Sequence, residues 1–103
     1  MASYPKRSAD RCPTHPGALL RDVILPALGL SKSEIALALR ISRQTLYDIL
    51  AERQPVTPAM AVKFAVAFET TASSWLNMQA AYDIWHAERL IDTSGVRKLA
   101  AVS

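Results

Sequence analysis

The chain has 103 residues, half of them apolar and 20% charged, and its formal net charge is +3. This length predicts a single domain with a real core, and the composition excludes a disordered chain. The single cysteine, Cys12, excludes an intramolecular disulfide framework and a cysteine-based zinc finger. No apolar run approaches the length of a membrane span, and residues 1–13 lack the apolar core of a secretory signal. We therefore expect a cytoplasmic protein with no membrane partner.

The pattern of apolar residues is helical from Pro16 onward, and no segment alternates apolar and polar residues as a strand would. We predict an all-α fold of five helices, the last of them long. Residues 1–15 hold little that could be buried and are interpreted as an irregular arm. The domain then covers residues 16–91, and residues 92–103 form a tail.

Helix starts are well marked along the chain. Pro16 suits the first turn of helix one, and Pro26 should end this helix because proline disfavours helical backbone in the residue before it. Gly29 then allows a turn, and Ser31 with Glu34 forms a capping box for helix two. The apolar face expected for helix one consists of Leu19, Leu20, Val23 and Ile24.

The later helices have similar signals. Ser42 is a good N-cap for helix three, which should run to Leu50. Thr57, followed by a proline, starts helix four. Thr70 or Thr71 caps a fifth helix that extends to about residue 90.

Helices two and three together match a helix-turn-helix unit. Only residues 40–42 separate them, and the small side chain of Ala36 allows two helices to cross closely and steeply. The apolar seam of this unit consists of Ile35, Leu39, Ile41, Leu46 and Ile49. This spacing favours a DNA-binding unit whose second helix enters the major groove.

The side chains left outside the seam are the candidate DNA-binding residues. Arg43 can read guanine and Gln44 can read adenine, and both lie in the first turn of helix three. Around them we expect contacts from Lys32, Ser33, Ser42, Thr45, Tyr47 and Arg53. Asp48 and Glu52 reduce the charge of residues 32–53, so we expect weak non-specific affinity and specificity that depends on few contacts.

The fifth helix carries two apolar stripes on nearly opposite sides. One stripe consists of Trp75, Met78, Tyr82 and Trp85. The other consists of Leu76, Ala80, Ile84, Ala87 and Ile91. Because a surface helix needs only one apolar face, we expect the first stripe to pack on helices one and four and the second to form a homodimer. The alternative is that the arm and tail fold back over the second stripe.

Signs of catalysis are absent from the sequence. His15 and His86 have no cluster of ligands at metal spacing, and His15 fits the start of helix one better. There is no glycine-rich phosphate loop and no nucleophile motif. We expect no enzyme activity, no catalytic or metal site, no cofactor and no small-molecule substrate.

Several segments between His15 and Ile84 resemble HigA-type antitoxins of the lambda-repressor-like (XRE) helix-turn-helix superfamily. They include HPG at residues 15–17, LGLS at 28–31, ISRQTLYDIL at 41–50, VTPAMAVKFA at 56–65 and SSWLNMQAAYD at 73–83. Arg40 departs from the family pattern, which has glycine in this turn. If Arg40 is left-handed, the departure costs about 1 kcal/mol.

The resemblance implies a five-helix lambda-repressor-like domain with two activities. Such proteins bind and neutralise a RelE/HigB-like, mRNA-cleaving toxin, and they repress their own operon as dimers on double-stranded operator DNA. Two alternatives stay open. The protein could be a solitary XRE-type transcriptional regulator without a toxin, or a protein-interaction module that has lost DNA binding.

Overall fold

The computed structural model describes residues 11–100, so residues 1–10 of the predicted arm and 101–103 of the tail lie outside the described residues. The described part contains five helices and no strand, which confirms the all-α prediction. Helix α1 covers residues 16–28. The others are α2 (Lys32–Leu39), α3 (Arg43–Leu50), α4 (Pro58–Phe68) and α5 (Ala72–Leu90).

Helix α1 does not end before Pro26, so that prediction was wrong. The helix consists of an α-helical turn at Pro16–Leu19, a π-helical segment at Leu20–Ile24 and a further α-helical turn at Leu25–Leu28. Inside an α-helix, proline has no N–H to donate and its ring crowds a carbonyl of the preceding turn. The π-helical segment changes the register of the carbonyls that precede Pro26, so the conflict is relieved. The helix therefore passes through Pro26 and ends at Gly29, which is left-handed with φ 68°.

The π-helical segment also changes which residues of α1 face the core. Leu20 and Leu25 are buried, whereas Val23 is 57% exposed. The backbone N–H of Leu25 donates to the carbonyl of Leu20, five residues earlier. The wider turn inserts a residue into the helical period, so the expectation that Val23 belongs to the buried face was wrong.

Side-chain caps begin the helices as the sequence predicts. Ser31 and Glu34 form the capping box of α2 through hydrogen bonds of 3.1 and 2.9 Å. Thr57 and Thr71 accept from backbone N–H groups of α4 and α5. Thr71 is thus the cap of α5. These bonds fix the first residue of each helix locally, because they satisfy N–H groups that have no partner within the helix.

His15 begins α1 as an N-cap. Its Nδ1 accepts a hydrogen bond of 2.8 Å from the backbone N–H of Gly17, so the ring must carry its proton elsewhere. The side chain is buried and packs edge-on against Tyr82 of α5 at 4.8 Å between ring centroids. Burial lowers the pKa of His15, which keeps the ring neutral and the cap intact at neutral pH.

Gly17 is the point of closest approach between α1 and α3. A Cβ atom at this position would overlap the backbone carbonyl oxygen of Ile49. Sequence reasoning assigned close packing to Ala36, which is buried, but it did not identify Gly17. Backbone therefore contacts backbone here, and only glycine leaves room for it.

An aromatic cluster joins α4 to α5. Trp75 is buried and lies 5.0 Å from Phe64 and 6.1 Å from Phe68 between ring centroids. Its indole Nε1 donates to the hydroxyl of Thr70 at 2.7 Å. The first stripe of α5 thus packs against the domain as expected.

Of the helices in residues 11–100, none is long and apolar enough to cross a bilayer.

We expect Gly17→Ala to destabilise the domain by roughly 1–3 kcal/mol, because the added methyl group must push α1 away from the Ile49 carbonyl. We expect this loss of stability even though alanine has a higher helix propensity than glycine. Thermal unfolding followed by circular dichroism measures it. Gly95→Ala is the matched control, since a Cβ there meets nothing within 4 Å. Equal melting temperatures for Gly17→Ala and the wild type would contradict the close approach.

Candidate nucleic-acid interface

Helix α3 separates a buried side from an exposed side. Leu46 and Ile49 are buried, as the seam predicts, and Leu50 is buried beside them. Arg43 and Gln44 in the first turn are exposed, and Tyr47 is 41% exposed one turn later. The predicted reading residues therefore contribute nothing to the core, and their side chains are accessible to a ligand.

The starts of α2 and α3 lie next to each other. Nη1 of Arg43 is 3.4 Å from the hydroxyl oxygen of Ser33, a long hydrogen bond between the two helices. Lys32, the first residue of α2, is also exposed. Because a long bond to a neutral hydroxyl is weak, the Arg43 guanidinium can exchange Ser33 for a base or a phosphate at little cost.

Ser42 and Thr45 form a closed pair at the start of α3. The Ser42 hydroxyl accepts from the backbone N–H of Thr45 at 3.0 Å and donates to the Thr45 hydroxyl at 2.9 Å. Ser42 therefore serves mainly as the helix cap. Thr45 is half-buried, and its hydroxyl retains its own hydrogen for an acceptor such as a phosphate oxygen.

One carboxylate oxygen connects two of the predicted DNA-binding residues. Oδ1 of Asp48 accepts from Nε2 of Gln44 at 2.9 Å and from Nη2 of Arg53 at 2.7 Å. The hydrogen bonds from Arg53 and Gln44 lower the pKa of Asp48, so the group is a carboxylate at neutral pH. The edge of the exposed side of α3 thus carries a negative charge that is paired with Arg53.

The turn between α2 and α3 is left-handed. Arg40 has φ 60° and ψ 46°, as its place at the glycine position of the family pattern suggested. Its carbonyl oxygen accepts a hydrogen bond of 3.1 Å from Nζ of Lys63 in α4. This bond helps to hold a turn conformation that costs about 1 kcal/mol for a residue with a Cβ atom.

Arg21 of α1 holds the other end of α3. Its Nη1 donates to the carbonyl of Leu50 at 2.9 Å and to Oε2 of Glu52 at 3.1 Å. Asp22 binds the same guanidinium at 2.9 and 3.0 Å, which raises the pKa of Arg21 and lowers the pKa of Asp22. A permanent cation therefore lies at the C-terminus of α3, where the helix dipole favours it.

Sequence reasoning missed the roles of Asp48 and Arg21 in this site. Gln44 and Asp48 are four residues apart on one helix, a spacing at which glutamine and aspartate are known to pair, so that contact was detectable. The contact of Arg21 with α3 joins residues 29 positions apart, and no local pattern indicates it.

The second stripe of α5 is exposed along most of its length. Ile84 and Ile91 are 55% and 62% exposed, and Ala80 and Ala87 are also exposed. Leu76, by contrast, is half-buried and packs against the core. The accessible apolar stripe therefore extends from residue 80 to residue 91. Residues 92–100 of the tail leave Ile84 exposed.

The polar residues on the inner side of α5 bind within the domain. Gln79 is buried, and its Oε1 accepts from the backbone N–H of Val56 at 2.8 Å. Its Nε2 donates to Asp83 at 3.0 Å. Gln79 therefore joins α5 to the segment that leads into α4.

Cys12 has a neighbour that its sequence context does not indicate. Its Sγ lies 3.5 Å from Nε2 of His86, and both residues contact solvent. Within residues 11–100, no group of three or more histidine, cysteine or acidic side chains is placed to hold a metal ion.

The sequence matches a known protein family and named relatives. The helix-turn-helix family covers residues 20–75. Virulence-associated protein I of Dichelobacter nodosus is 37% identical over 84% of this chain and 81% of its own length. Antitoxin HigA-1 of Vibrio cholerae is 30% identical over 77% of this chain and 74% of its own length. YbaQ of Escherichia coli, named an uncharacterised transcriptional regulator, is 36% identical over 84% and 77%.

Solved structures of similar chains include complexes with DNA. Antitoxin GraA in complex with its operator matches with a TM-score of 0.77 and 32% identity, over 95% of this chain and all of that one. Antitoxin HigA of Pseudomonas aeruginosa, solved with the higBA promoter, matches with a TM-score of 0.70 and 32% identity, over 80% and 98%. The chain therefore belongs to the helix-turn-helix family and is one of its HigA-type members.

Proposed function

We propose that the protein is the antitoxin of a type II toxin–antitoxin system that represses its own operon as a dimer and acts in the cytoplasm. The observation that carries this proposal is the exposed face of α3, with Arg43 and Gln44 in its first turn. GraA and HigA were solved with operator or promoter DNA, and this chain has their fold.

The operator contacts divide into two kinds. Arg43 and Gln44 occupy the first turn of α3, where they would meet base edges in the major groove. Lys32 and Ser33 at the start of α2, with Thr45, Tyr47 and Arg53 around α3, would contact the sugar–phosphate backbone and fix the docking register. The α2 N-terminus adds N–H groups directed at phosphate.

Arg43→Ala should weaken operator binding by roughly 1–3 kcal/mol and relax the preference at one base pair, because a bidentate contact to guanine is lost. Lys32→Ala should instead weaken all duplexes about equally and reduce the salt slope by about one, as expected for a phosphate contact. Titration of the operator and a random duplex at several salt concentrations distinguishes the two effects. If Arg43→Ala with Gln44→Ala left affinity and specificity unchanged, α3 would not be the reading helix.

The second apolar stripe of α5 supports a homodimer. Ala80, Ile84 and Ala87 expose apolar surface on one side of a helix whose other side packs on α1 and α4, and Ile91, the C-cap just beyond the helix, is exposed as well. A two-fold axis through this stripe would present two copies of α3. Recognition helices spaced about 34 Å apart read inverted half-sites one DNA turn apart.

Ile84→Glu should give a monomer, because a carboxylate at the centre of the α5 interface would be buried without a partner. Sedimentation equilibrium at micromolar concentration measures the change. Glu88→Gln, which alters charge at an exposed position of the same helix, is the control and should remain dimeric. A monomeric wild type at this concentration would contradict the α5 dimer.

The toxin surface is assigned by elimination. With α3 engaged on DNA and the outer side of α5 in the dimer, the arm and α1 remain for a RelE/HigB-like partner. Val23 and Leu28 of α1 expose apolar surface beside Ala67 and Phe68 of α4, around a cavity of about 420 Å³. This surface gives α1 a place at which another protein can dock.

Co-expression with the small reading frame beside its gene should yield a co-purified complex that suppresses the toxin's arrest of growth. Deletion of residues 1–13 should weaken the complex if the arm takes part. The absence of both a neighbouring frame and a co-purified partner would favour the second candidate, a solitary transcriptional regulator. The solitary-regulator candidate is favoured by the similarity to YbaQ, which is named a transcriptional regulator. If the protein failed to retard its own promoter DNA in a gel-shift experiment, it would instead be a protein-interaction module.

A further inference from the structure

We propose that Asp48 is a positioning residue that determines which base Gln44 reads and holds Arg53 away from phosphates in the free protein. This inference rests on the proposed operator binding. Asp48 lies one turn after Gln44, at the edge of the exposed side of α3, with its side chain 26% exposed. A negative charge at this position opposes DNA. The two hydrogen-bond partners of Asp48 are both residues that would contact DNA.

Asp48 fixes the orientation of the Gln44 amide. A carboxylate only accepts hydrogen bonds, so the amide must direct Nε2 toward Oδ1, as it does at 2.9 Å. With the amide turned over, Oε1 of Gln44 would face a carboxylate oxygen and the two acceptors would repel each other. The side chain is therefore held with Oε1 directed away from Asp48.

An amide held in this way is suited to adenine. Adenine presents one acceptor and one donor in the major groove, and glutamine reads it with one N–H and its carbonyl oxygen. After Gln44 has donated one N–H to Asp48, it retains one N–H and Oε1 in a fixed order. Without Asp48, the amide could also turn its donors toward the acceptors of guanine, so the discrimination at this position would fall.

Arg53 is attached to the same carboxylate. Its Nη2 lies 2.7 Å from Oδ1, and its backbone N–H donates to the Asp48 carbonyl at 2.8 Å. The Arg53 side chain is 62% exposed, and exposed ion pairs are weak, so a phosphate can compete for the guanidinium. In the free protein the bridge offsets one of the few cations of the face. Asp48 therefore lowers affinity for DNA of any sequence.

The test is Asp48→Ala, titrated against the duplex upstream of the protein's own gene and against a random duplex of equal length. Affinity for the random duplex should rise, with a salt slope steeper by about one, because Arg53 becomes free to neutralise a phosphate. The ratio of operator to random affinity should fall by about tenfold, as expected when a bidentate base contact loses its orientation. An unchanged ratio would overturn the inference.

Three controls isolate the orienting role. Glu69→Gln removes one negative charge at the end of α4, where no hydrogen bond reaches Gln44, and should preserve the ratio. Asp48→Glu keeps a group that only accepts, and should retain most of the discrimination. Circular dichroism melting curves should show that Asp48→Ala is folded, since alanine favours helix.

A double-mutant cycle supplies the decisive comparison. In a Gln44→Ala background, Asp48→Ala should leave the ratio unchanged because no amide remains to be oriented. An equal fall of the ratio in that background would overturn the inference while leaving operator binding established. A wild-type protein that failed to prefer its upstream duplex would overturn the proposed operator binding itself, and this result is distinct because it needs no variant.

Discussion

The position of the exposed side of α3 depends on the contact between α1 and the backbone at the end of α3. Gly17 lies directly against the carbonyl of Ile49, and Arg21 donates to the carbonyl of Leu50. Carbonyls in the last turn of a helix have no intrahelical partner, and the Arg21 bond satisfies that of Leu50, whereas Gly17 contributes close packing. Since α1 contacts the backbone of α3, the side chains on the exposed face of α3 can vary without displacing α3.

Helix ends impose a second constraint on the site. α2 and α4 end at the left-handed residues Arg40 and Glu69, and Glu52 is left-handed just beyond α3. Each costs about 1 kcal/mol relative to glycine, so other contacts must hold the turns. Lys63 binds the carbonyl of Arg40, and Arg21 binds the side chain of Glu52. The angle between α2 and α3 therefore depends on α4 and α1 as well as on the turn.

The sequence predicted what is determined locally. Capping signals at Ser31, Ser42 and Thr57 sufficed to place three helices, because each cap involves residues within one turn. The π-helical segment was not predictable, since neither a capping residue nor the spacing of apolar residues indicates the extra residue that it inserts. As a result, Leu25 replaces Val23 in the core. Contacts between distant segments were missed for a similar reason: nothing near Gly17 or Arg21 in the sequence indicates α3.

The charges of α3 and the stripe on α5 suit each other. With Arg53 paired to Asp48, the exposed side of α3 offers one cation fewer to phosphate, so we expect low non-specific affinity. In the proposed dimer every base contact occurs twice, so the free energy that separates operator from random DNA is doubled. A face with two base-reading residues can then be selective although each contact contributes only about 1–3 kcal/mol. The proposed dimer would therefore supply, through symmetry, the affinity that Asp48 is inferred to remove from the single face.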